Sequence, residues 1–68
     1  MIAIHVEPRY FHYVKKKAKE MGILIKARPS KGVIYVSQLL SEFLREIDIL
    51  KNHGARIRIS KQATLFGE

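Results

Sequence analysis

The sequence predicts a small α+β domain built from one four-stranded sheet and two helices. Four short runs are rich in alternating or β-branched apolar residues, and two longer segments repeat apolar residues at helical spacing. A chain of 68 residues is long enough for one domain, which we assign to residues 1–60. Its hydrophobic fraction of 47% is ordinary for a globular protein, so wholesale disorder is not expected.

The first half of the chain has the pattern strand, helix, strand. Residues 2–6 alternate between apolar and other side chains, which indicates a half-buried strand. Pro8 suits the first turn of a helix, and Gly22 suits its end. Residues 23–28 then predict a second strand. The apolar stripe of the intervening helix is Phe11, Val14, Ala18 and Met21.

The second half has the pattern turn, strand, helix, strand. Residues 29–32 form a Pro- and Gly-containing turn, so residues 33–36 make a hairpin with the preceding strand. Ser37 is the predicted N-cap of the second helix, and residues 52–54 are its predicted end. Residues 56–59 alternate Arg with Ile and predict the fourth strand. The apolar stripe of the second helix is Leu40, Phe43, Leu44, Ile47 and Leu50.

These elements follow the order β-α-β-β-α-β. With right-handed crossovers, this order gives a four-stranded antiparallel sheet with both helices on one face, the ferredoxin-like arrangement in a small form. The other sheet face is then expected to be open. Alternation along the strands predicts that it carries His5, Lys26, Arg28, Arg56 and Arg58, together with Tyr35 if Ile34 points inward.

The charge of the chain indicates an anionic partner. Thirteen Lys and Arg against six Asp and Glu give a formal net charge of +7, which favours polyanions such as nucleic acid. A basic sheet with a central aromatic residue resembles, in architecture alone, the RNA-recognition (RRM-type) domains that stack bases on a sheet. The predicted nucleic-acid-binding residues are Lys26, Arg28, Tyr35, Arg56 and Arg58. The alternatives are a solvated basic face and a face that pairs with a second copy to form a homodimer.

The sequence does not predict an enzyme. It has no cysteine, no Gly-rich phosphate loop and no Ser/His/Asp order typical of a nucleophilic site. Its three histidines lack metal-ligand spacing, so neither a metal nor another cofactor is expected. The lysine-rich run at residues 15–19 is expected on the outer side of the first helix, either as a solvated face or as a site of non-specific phosphate attraction.

Residues 61–68 carry a peptide motif, Lys-Gln-Ala-Thr-Leu-Phe-Gly-Glu. Residues 62–66 resemble the pentapeptide by which bacterial proteins bind the DNA sliding clamp. Residues 61–66 are also similar to the beginning of PCNA-interacting (PIP-box) tails, notably that of the archaeal clamp-loader large subunit. Gln62 and Leu65 fit the PIP pattern, whereas its seventh position is Glu68 instead of an aromatic residue. The resemblance to the pentapeptide is unaffected by this departure, because Phe66 directly follows Leu65.

The resemblance implies a DNA sliding clamp as partner and a role in DNA replication or repair. Leu65 and Phe66 would fill an apolar cleft of the clamp, contributing about 1.5–3 kcal/mol each if fully buried. Gln62, which both donates and accepts hydrogen bonds, would fix the register. The alternative is that Leu65 and Phe66 pack on the body of this domain or on a dimer mate.

The sequence gives no indication of membrane insertion. No apolar run approaches the roughly 18 residues of a membrane span, and the N-terminal residues show no signal-peptide pattern. We therefore expect a cytoplasmic protein.

Overall fold

The computed structural model describes residues 2–61, which form four strands and two helices in the predicted order. The elements are β1 (Ile2–Val6), α1 (Pro8–Glu20), β2 (Ile25–Arg28), β3 (Val33–Val36), α2 (Ser41–Asn52) and β4 (Ile57–Lys61). A single 3-10 turn, Pro29–Lys31, connects β2 to β3. The predicted β-α-β-β-α-β architecture is thereby confirmed.

The strands form one antiparallel sheet in the order β2-β3-β1-β4. Each half of the chain contributes one central strand (β1 or β3) and one edge strand (β2 or β4), so the two halves interleave, as in the ferredoxin-like arrangement. Ile4 of β1 pairs with Ile34 of β3 on one side and Ile59 of β4 on the other. Paired residues of neighbouring strands point to the same side, so these isoleucines define one apolar sheet face.

Both helices pack on this apolar face. Ile4, Ile34, Phe43 and Ile47 are almost completely buried in a common cluster, and the α1 stripe contributes Phe11, Val14 and Ala18. Three of the four residues of the predicted α1 stripe are therefore buried, and Met21 lies half-buried just after the helix. The two faces of the sheet therefore differ. One face packs against both helices and forms the hydrophobic core, whereas the opposite face is covered by neither helix.

Both helices end in a left-handed glycine followed by a buried apolar residue. After α1, Gly22 has φ +75° and donates to Lys19 O, while Ile23 donates to Ala18 O at 3.0 Å. After α2, Gly54 has φ +96° and donates to Lys51 O, while Ala55 donates to Leu50 O at 3.0 Å. This pair of bonds is the Schellman motif, which satisfies the last carbonyls and redirects the chain towards the sheet.

Four local predictions are corrected. The helix start at Ser37 is wrong: α2 begins at Ser41, because the Ser37 N–H donates to Leu24 O at 3.0 Å and prolongs the β2–β3 pairing. Strand β2 begins at Ile25 because Ile23 is used in the helix-ending motif. Strand β4 covers Ile57–Lys61 instead of residues 56–59. Within α2, Leu44 is only half-buried, so it is not the deep core residue that its spacing suggested.

Candidate nucleic-acid interface

The sheet face opposite the helices is the candidate interface, and we call it the open face. It is formed by the strand residues that alternate with the core isoleucines. Because the Ile4, Ile34 and Ile59 side chains enter the core, their neighbours along each strand point to the other side. The open face consists of Ala3, His5, Lys26, Arg28, Val33, Tyr35, Arg58 and Ser60.

The strand register arranges the open face in two transverse rows. In the first row, His5 lies between Arg58 on β4 and Val33 on β3, and Val33 in turn is opposite Arg28 on β2. In the second row, Lys26 is opposite Tyr35, and the row continues through Ala3 to Ser60. Four of the five predicted nucleic-acid-binding residues thus occupy one surface: Lys26, Arg28, Tyr35 and Arg58.

The centre of the open face consists of small apolar side chains that are covered by longer neighbouring ones. Ala3 and Val33 are only 2% and 3% exposed, yet neither belongs to the core cluster beneath the helices. Tyr35 and His5 are half-buried beside them. Since the apolar groups at the centre are already covered by their neighbours, the face lacks the broad exposed apolar patch typical of hydrophobic association.

Positive charge dominates the open face. Lys26, Arg28 and Arg58 are exposed, and neither row contains a carboxylate. Arg28 and Arg58 stand on the two edge strands, three strand spacings or about 14 Å apart along the sheet. Two such faces pressed together would bring like charges into contact. The charge pattern therefore disfavours face-to-face pairing of two copies and favours an anionic partner.

Arg56, the fifth predicted residue, lies just before β4 and is held by its backbone. Its N–H donates to Glu7 Oε2 at 2.6 Å, and its carbonyl accepts from the Glu7 N–H at 3.1 Å. These bonds join the end of β1 to the start of β4. Sequence reasoning missed the role of Glu7, because the two residues are 49 positions apart and no local pattern connects them.

The lysine-rich run of α1 lies on the helical side of the molecule, away from the open face. Lys17 Nζ is 3.8 Å from Glu20 Oε1 and 5.6 Å from the centre of the Tyr13 ring. The Tyr13 hydroxyl in turn donates to Glu46 Oε1 at 3.3 Å, which links the two helices. Lys17 therefore has contacts within its own helix, whereas Lys16 and Lys19 are exposed.

Other kinds of site find little support in the described part of the chain. Within residues 2–61, no three His, Cys, Asp or Glu side chains stand close enough to hold a metal ion. No helix in that range is long and apolar enough to cross a membrane. The predicted clamp-binding residues Gln62, Leu65 and Phe66 lie outside the described residues.

Comparison of the chain with protein-family models, with curated proteins and with solved structures gives no match. No relative therefore informs the role of the open face or of residues 62–68.

Proposed function

We propose that this protein binds single-stranded nucleic acid on the open face. The observation that carries the proposal is the register that brings Lys26, Arg28 and Arg58 onto one carboxylate-free surface around Tyr35. Exposed cations attract the phosphate backbone without regard to sequence, and an aromatic ring offers a stacking surface to any base. A sheet with one aromatic residue suits a splayed single strand better than a duplex, whose bases are already stacked.

The first experiment locates the binding surface. A labelled single strand of about ten nucleotides, as DNA and as RNA, is titrated with wild type and with the double variant Arg28→Gln/Arg58→Gln. The matched control is Lys19→Gln/Lys51→Gln, which removes the same charge from exposed positions on the helical side. The proposal requires that the face variant binds at least about tenfold more weakly and that the control stays near wild type.

Two outcomes would count against this function. If the face variant and the control lose the same amount of affinity, binding depends on the net charge of the protein and not on the open face. A change of oligomeric state in the face variant, measured by light scattering, would identify the face as a subunit interface instead.

As a second candidate function, we propose that residues 62–66 dock on a DNA sliding clamp, with a role in replication or repair. What supports this is the Gln-Ala-Thr-Leu-Phe motif, which follows directly on β4. A peptide of residues 60–68 is titrated against purified bacterial and archaeal clamps, next to the full chain and the double variant Leu65→Ala/Phe66→Ala. Docking requires that peptide and full chain bind alike, near micromolar, and that the variant stays folded but does not bind. If the variant unfolds, the two side chains belong to the domain core.

A further inference from the structure

An open cleft of about 630 Å³ lies at one end of the sheet, beside the open face. Three chain segments line it: residues 5–8, where β1 ends and α1 begins, residues 29–32 at the tip of the β2–β3 hairpin, and residues 56–58 at the start of β4. This volume falls within the range of small-molecule sites and is sufficient for one nucleotide.

The two walls of the cleft are fastened to adjacent residues where β1 ends, the hairpin wall to Val6 and the β4 wall to Glu7. On the hairpin side, the Val6 N–H donates to Gly32 O at 2.9 Å. On the β4 side, Glu7 and Arg56 exchange the two hydrogen bonds given above. Because each wall is anchored by backbone groups, the cleft keeps its shape before any ligand arrives, which lowers the entropic cost of binding.

Gly32 is required for this close approach. It has φ +64°, and a Cβ at this position would meet Val6 O at 3.2 Å. A side chain there would crowd the Val6 carbonyl and would be strained at this left-handed φ, which glycine alone adopts without cost. The hairpin tip is also what brings Lys31 to the cleft.

The cleft collects positive charge from separate elements. Lys31 comes from the hairpin, and Arg56 and Arg58 come from the start of β4. Within residues 2–60, none of these three cations has a carboxylate oxygen within 4.0 Å. Glu7 is the one acidic residue in the lining, and one of its oxygens already accepts the Arg56 backbone N–H. Unpaired cations around a concave surface concentrate the field and favour an anion.

We infer that this cleft binds the phosphate group of one nucleotide, with Lys31, Arg56 and Arg58 as the cations that contact it. Exposed apolar surface from Pro8 and Pro29 lines the same cleft and suits the sugar and base. Arg58 belongs to both surfaces, so the cleft continues the open face at its end. The nucleotide is either a unit of a strand bound on that face, which rests on the proposed function, or a free mononucleotide.

The test is amide chemical-shift mapping by NMR with inorganic phosphate, with a nucleoside monophosphate and with a single-stranded oligonucleotide. We expect the monophosphate to shift the amides of residues 29–32 and 56–58, with inorganic phosphate shifting the same amides at higher concentration. Lys31→Gln should weaken monophosphate binding about tenfold, because one charged hydrogen-bonding partner is lost. The matched control, Lys51→Gln, should leave the affinity unchanged.

The outcomes separate this inference from the proposed function. If the oligonucleotide shifts open-face amides while none of the three ligands shifts residues 29–32, the cleft inference is overturned and the proposed function stands. If the monophosphate binds the cleft while the oligonucleotide binds nowhere, the inference stands and the proposed function fails. Equal loss of binding in Lys31→Gln and Lys51→Gln would also overturn the cleft site.

Discussion

Substituting Arg58 by Gln should change how salt weakens nucleic-acid binding, and by an amount that follows from the open face. Each phosphate neutralised on a single strand contributes about 0.7 to the slope of log affinity against log salt. If Lys26, Arg28 and Arg58 each neutralise one phosphate, the slope is about −2.1, and affinity falls about 18-fold between 50 and 200 mM salt. Without Arg58 the slope is about −1.4, and affinity falls only about sevenfold between 50 and 200 mM salt.

The assay is fluorescence anisotropy of a labelled single strand at several salt concentrations. A further phosphate contact that does not involve Arg58 steepens the salt dependence of wild type and variant equally, so the two slopes still differ by about 0.7. Lys51→Gln is the matched control, because it lowers the net charge equally from the end of α2. The reasoning is refuted if the Arg58 variant has the wild-type slope of log affinity against log salt. It is also refuted if the slope of the control becomes as shallow as that of Arg58→Gln.

Three further predictions concern the stacking residue and the fold. Tyr35→Leu should weaken single-strand binding by about 1–3 kcal/mol while Tyr35→Phe retains it, as measured by the same titration, because stacking needs the ring and not the hydroxyl. Ile47→Ala should cost about 2–5 kcal/mol of unfolding free energy in denaturant titration, and half-buried Leu44→Ala distinctly less. Gly22→Ala should cost about 1–2 kcal/mol by thermal unfolding, since φ is +75° but no atom lies within 4 Å of the added Cβ. A neutral Gly22→Ala, or equal costs at Ile47 and Leu44, would contradict this account of the packing.

The fold was predictable because its signals are local. Apolar alternation marks the strands, and Gly22 and Gly54 mark the helix ends at positions where the chain takes a left-handed conformation. Local reasoning failed where a residue has two possible roles. Serine is a favourable N-cap residue, yet the Ser37 N–H donates to Leu24 O across the hairpin. This pairing between strands, and not the local preference of serine, determines that Ser37 does not begin the helix.

The candidate site also has one part that could be predicted from the sequence and one part that could not. Membership of the open face follows from alternation along each strand, so Lys26, Arg28, Tyr35 and Arg58 could be assigned from sequence. The cleft could not be predicted from the sequence, because its walls are held together only by hydrogen bonds between residues that are distant in the sequence. In the sequence Lys31 is simply a lysine in a turn; only the Val6–Gly32 contact brings it to the side of the molecule where β4 begins.

The two proposed functions would reinforce each other, because β4 connects them. Arg58 on the open face and Gln62 of the motif are four residues apart, so an extended chain separates them by at most about 14 Å. If the clamp is loaded on DNA beside a single-stranded stretch, a tail docked on it would hold the basic face near that single strand and raise the effective concentration of the strand to about the millimolar range. Wild type should therefore bind a clamp loaded on such DNA about a hundredfold or more tightly than either Arg28→Gln/Arg58→Gln or Leu65→Ala/Phe66→Ala. The measurement is surface binding to loaded clamp against free clamp and free DNA. If wild type binds the loaded clamp no better than the stronger of its two separate partners, the two surfaces act independently.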